Sequence, residues 1–134
     1  MKYIYGIFNI MTNEEINDCF NKFKSYKSYE NWIDTYKELL YNLYSDDDIQ
    51  YHIYYSPEHF CIFVEWESEY ANLQLDIHEN SFSFSIFNKH PVDNVLKIDS
   101  VYDLKQRLTI ESLNLINQLV KTHFQYTTKI QLIK

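Results

Sequence analysis

Glycine is almost missing from this chain of 134 residues, where Gly6 stands alone. Loops that cradle a phosphate need several glycines so that backbone can approach closely, so P-loop and dinucleotide-binding enzymes are excluded. Proline occurs only at Pro57 and Pro91, and cysteine only at Cys19 and Cys61. Two isolated cysteines make neither a disulfide framework nor a paired zinc motif, and both are expected to be reduced, structural thiols. No apolar run is long enough to span a bilayer. The opening "MKYIYGIFNIM" places Lys2 ahead of apolar residues but runs into "TNEEIND" without a small-residue cleavage site. The expectation is a soluble, cytoplasmic protein without a cofactor.

Positive charge is missing from one long window. Between Glu38 and Asn88 there is no Lys or Arg, while ten acids fall there, including Asp46, Asp47, Asp48, Glu65, Glu67 and Asp76. Residues 1–37 carry five acids and five bases, and residues 89–134 carry four acids and seven bases. The net charge of -7 therefore comes from the middle of the chain. Such a field repels nucleic acid and attracts basic partners, although a solvated acidic face is its plainest reading.

Apolar residues make up 46% of the chain, enough for one domain with its own core. "MTNEEINDCFNKF" predicts a short helix. Thr12 and Glu15 have capping-box spacing, and Ile16, Cys19, Phe20 and Phe23 follow the helical period. "SYENWIDTYKELLYNLY" predicts a second helix with Trp32, Ile33, Tyr36, Leu39, Leu40 and Leu43 as its apolar stripe. Four strand-like segments follow at 50–55, 60–66, 70–78 and 81–87, and 94–98 is a candidate fifth. "SVYDLKQRLTIESLNLINQLVKTHF" predicts a C-terminal helix capped by Ser100 and Asp103, with a kink or second start at Thr109. The fold class is α+β: an antiparallel β-meander of four to five strands with N-terminal and C-terminal helices packed on one face. A single domain is expected, with residues 1–45 helical, 50–98 the meander and 100–125 the C-terminal helix.

Alternation of side chains fixes which residues share a face. A two-residue turn at Glu79-Asn80 pairs Ile77 with Phe82, Leu75 with Phe84 and Leu73 with Ile86. A two-residue turn at Ser68-Glu69 pairs Trp66 with Ala71 and Val64 with Leu73, and a turn at Pro57 pairs Tyr55 with Phe60. All these pairs are apolar. The opposite face then carries His52, Tyr54, Cys61, Phe63, Glu65, Asn72, Gln74, Asp76, His78, Ser81, Ser83, Ser85 and Phe87.

Chemistry is weakly signalled. His78-Glu79 lacks the second histidine of a zinc-protease helix, since Phe82 takes that place. His59, His78 and Asp76 form the one candidate metal set, at exposed hairpin ends. Ser81, Ser83 and Ser85 alternate with phenylalanines, as a half-buried strand requires, and no glycine is there to form a nucleophile elbow. Eight of the thirteen tyrosines fall between Tyr26 and Tyr55, overlapping the acidic window, and tyrosine is enriched in interfaces.

"VEWESEYANLQLDIHENSFSFSIFN" followed by "SVYDLKQRL" resembles the TriTu-type immunity proteins of bacterial toxin systems. The positions that fit are Glu65, Glu67, Tyr70, Ala71, Glu79, Ser100, Asp103 and Leu104, within residues 60–108. The family usually has glycine at the hairpin turn, where this chain has Glu79-Asn80. The resemblance implies a small protein that binds a cognate toxin and blocks it without chemistry of its own.

The function expected is therefore binding, with Asp46, Asp47, Asp48, Tyr54, Phe63, Glu65, Glu67, Asn72, Gln74 and Asp76 meeting a basic toxin domain, with a nuclease as the expected kind. Direct nucleic-acid or membrane binding is not expected. A homodimer through an edge strand at 50–55 or 94–98 is compatible with the pattern. Two alternatives remain open at this point. One is a phage-encoded inhibitor of a defence nuclease that mimics nucleic acid. The other is a metal-dependent enzyme built on His59, His78 and Asp76.

Overall fold

The structure is a computed structural model that describes residues 12–45, 49–67, 71–89 and 96–133. Helix α1 spans Asn13–Phe23, a 3-10 helix spans Asn31–Tyr36, and a single turn α2 spans Lys37–Leu40. Strands β1 (Gln50–Ser56), β2 (Cys61–Glu67), β3 (Ala71–Ile77), β4 (Phe82–Lys89) and β5 (Leu96–Leu104) form one sheet in sequence order. All four pairings are antiparallel. Helix α3 spans Ile110–Ile133. The protein is α+β, as its pattern predicts. Among the described residues, no helix is long and apolar enough to cross a membrane.

α1 starts where the capping box places it. The Glu15 backbone N–H donates to Thr12 Oγ1 at 3.2 Å, and Ile16, Phe20 and Phe23 are buried. The second predicted helix holds its stripe but not its form. Trp32, Ile33, Tyr36 and Leu40 are buried, yet residues 31–36 wind as a 3-10 helix. Asn, Trp, Ile, Asp, Thr and Tyr are all indifferent helix formers, and Thr35 Oγ1 donates back to the Trp32 carbonyl at 2.6 Å.

Helices and sheet are joined on one face. The Trp66 indole N–H donates to the Tyr44 carbonyl at 2.9 Å, and Tyr55 Oη donates to the Ser28 carbonyl at 2.8 Å. Asn117 of α3 accepts from the Tyr44 N–H and donates to the Asn42 carbonyl, which ties that helix to the chain just before the sheet. Between these ties lies the core, with Trp66, Leu73, Leu75, Ile77 and Phe84 fully covered. Trp66 meets Phe84 edge to face at 6.1 Å.

Two features depart from the expected pattern. The β3–β4 register is as predicted, with Ile77 opposite Phe82 and Leu73 opposite Ile86. The β1–β2 and β2–β3 registers are each displaced by two residues. Tyr55 stands opposite Ile62, Val64 opposite Leu75, and Trp66 opposite Leu73. A displacement of two keeps every side chain on its face, so apolar matching cannot distinguish the two registers. The β1–β2 connection is a turn over Pro57–Phe60 that ends with Phe60 at φ 50°. The predicted turn at Ser68-Glu69 lies outside the described residues.

The second departure is larger. Residues 96–104, read as the end of a strand and the start of a helix, are all strand. Ser100 and Asp103 do not cap a helix; they pair with Ile86 and Ser83. β4 exposes a full row of backbone donors and acceptors, and pairing them outweighs a local capping pattern. The helix begins after Thr109 instead, whose Oγ1 accepts from the Ser112 N–H at 3.2 Å.

Candidate functional site

The face of the sheet away from the helices carries the candidate residues in rows. Tyr54, Phe63, Asp76, Ser83 and Asp103 stand side by side across the five strands. His52, Glu65, Gln74, Ser85 and Val101 form the next row. Glu67, Asn72 and Phe87 belong to the third. With strands about 4.8 Å apart, each full row is about 19 Å long. No lysine or arginine occupies any of these positions.

Seven of the predicted binding residues therefore share one face: Tyr54, Phe63, Glu65, Glu67, Asn72, Gln74 and Asp76. Asp46, Asp47 and Asp48 lie outside the described residues. Asp103 is a residue that sequence reading missed. Its capping spacing pointed to a helix, whereas pairing with Ser83 brings it to the acidic face.

Tyr54 and Phe63 stack with ring centres 5.1 Å apart and planes at 29°. Tyr54 Oη donates to Glu65 Oε1 at 2.7 Å. Burial and that carboxylate together push the Tyr54 hydroxyl's pKa upward, so it stays a donor. On β3, Gln74 Nε2 donates to Asp76 Oδ1 at 2.7 Å. The Asp76 carboxyl is raised above its ordinary range, chiefly by burial. The Gln74 bond and His78 oppose the shift, and Glu65 and Asp103 add to it. Asn72 Oδ1 is buried without a hydrogen-bond partner. A buried acceptor left unpaired costs about 1–3 kcal/mol.

The metal candidate does not assemble. Among the described residues, no three His, Cys, Asp or Glu side chains are grouped so as to hold an ion. His59 instead sets its ring against Phe63, edge to face at 6.4 Å. Cys61 is buried, and burial with the nearby Asp76 charge pushes its thiol up to about 12, so it is protonated and inert at neutral pH. The tyrosine cluster is mostly core: Tyr36, Tyr51 and Tyr55 are buried, and Tyr29, Tyr41 and Tyr44 pack against them. Tyr54 is the tyrosine of that cluster that the outer face presents.

No family model, curated protein or solved structure matches the chain.

Proposed function

We propose that this protein neutralises a basic toxin domain by binding it through the outer face of its sheet, as an immunity protein does. The observation that carries the reading is the composition of that face. Glu65, Glu67, Asp76 and Asp103 come together on it with no lysine or arginine among them. An excess of one sign steers a partner of the other and disfavours partners of its own. The resemblance to TriTu-type immunity proteins supports the same conclusion only through its strand positions, since Ser100, Asp103 and Leu104, matched as the opening of a helix, lie in β5. A nuclease is the natural target, because a site that grips phosphates is basic and an acidic surface fits it.

Co-expression with the product of the adjacent gene tests the proposal. The expected result is a stable complex and loss of that product's toxicity. The triple variant Glu65→Lys, Glu67→Lys, Asp103→Lys should lose both. If the reversed face still bound and protected, the outer face would not be the contact.

A further inference from the structure

We infer that the outer face reads arginine in particular, at a ledge made by Tyr54, Phe63 and Glu65; the inference rests on the acidic face being the binding surface. Tyr54 is 41% exposed even though one side of its ring lies against Phe63. What it presents to solvent is therefore its remaining ring surface and its hydroxyl edge. The hydroxyl donates to Glu65 Oε1 at 2.7 Å, which holds a carboxylate beside the ring. Asp76, opposite Phe63 on the next strand, adds a second carboxylate.

A flat aromatic surface with a fixed carboxylate at its rim suits a guanidinium better than an ammonium. The guanidinium is planar, stacks on a ring and donates two parallel hydrogen bonds to a carboxylate at once. Lysine is a compact, strongly hydrated charge and satisfies the carboxylate without using the ring in the same way. Positions in register with the ledge carry no positive side chain, so its carboxylates lack a cation from the chain's own strands and favour one from outside. The occupant is therefore an arginine-bearing segment of a basic protein.

Hexa-arginine and hexa-lysine peptides with blocked ends, titrated into the full chain at matched ionic strength, test this. Hexa-arginine should bind roughly three- to fivefold more tightly, the effect of one cation–π contact at an exposed site. Tyr54→Leu should bring the arginine peptide down to the lysine level and leave lysine binding unchanged. Tyr54→Phe keeps the ring but frees Glu65, so it should retain only part of the arginine preference, and circular dichroism of both variants confirms that the sheet persists. Equal affinity for the two peptides, or an arginine preference that survives Tyr54→Leu, overturns the arginine ledge. In those cases an acidic binding face can still stand. If neither peptide binds at low salt, the ledge and the acidic-face reading fall together.

Discussion

At the scale of single residues, Asp76 shows how an acidic face weighs on folding. Burial makes its charged form unfavourable, and Glu65 and Asp103 add repulsion. The folded chain therefore keeps the Asp76 proton to a higher pH than the unfolded chain does. Stability falls as pH rises through the window between the ordinary carboxylate value and the raised one, and the deficit remains at neutral pH. Asp76→Asn removes the charge and retains an oxygen for Gln74, so it should raise the urea midpoint at pH 7. The gain should disappear below the ordinary carboxylate range, where both states are protonated. A variant less stable than the parent at pH 7 would mean that Gln74 and His78 outweigh burial. Phe60 is a second site of tension, exposed and at φ 50°. A side chain with a Cβ costs about 1–2 kcal/mol there, partly offset in glycine by its greater freedom when unfolded. Phe60→Gly should therefore stabilise the protein by about 0.5–1 kcal/mol in denaturant titration. Neither residue's environment was legible in the sequence, because both depend on how neighbouring strands meet.

At the scale of elements, what was legible follows from local physics. The Thr12–Glu15 spacing places the start of α1, and Thr109 marks the start of α3 because its hydroxyl accepts from a backbone N–H three residues on. Thr12→Ala and Thr109→Ala should each cost about 1 kcal/mol, read as a lower urea midpoint with an unchanged slope. Strand alternation was equally legible, since every apolar set of β1 to β4 points to the core as its period requires. Register was legible only at the β3–β4 hairpin. There the His78 N–H donates to the Ser81 carbonyl, and Tyr36 Oη donates to the Glu79 carbonyl. The other hairpins could slide by two at no cost in matched polarity. β5 was the least legible element, because its helix-like cap spacing competes with a non-local demand from β4. It also carries a bulge, where Ile86 pairs with Ser100 and Phe87 with Ile98, leaving Asp99 as the extra residue. A bulge twists an edge strand, which is one way that a sheet edge is kept from pairing with a second chain.

At the scale of the whole molecule, charge is spread unevenly over the sheet. Glu65, Glu67, Asp76 and Asp103 collect on the outer face. Arg107 lies on the other side, 5.3 Å over the Tyr36 ring, and Lys37 Nζ donates to Asn17 Oδ1 near α1. A partner approaching the sheet from outside would meet four of the chain's nineteen acids. Steering of this kind raises association rates by about tenfold to a thousandfold at low salt and fades as the Debye length shortens. Stopped-flow association with a basic toxin domain should show a rate that falls steeply between low and high salt. Asp103→Lys alone should slow that rate at low salt and flatten its salt dependence while leaving the urea midpoint nearly unchanged, since Asp103 is exposed. The opposite pattern, a destabilised fold with unchanged association, is what a helix-capping aspartate would give. Asp103 thus separates the fold observed from the one its local spacing suggests, and it tests whether β5 completes the acidic face.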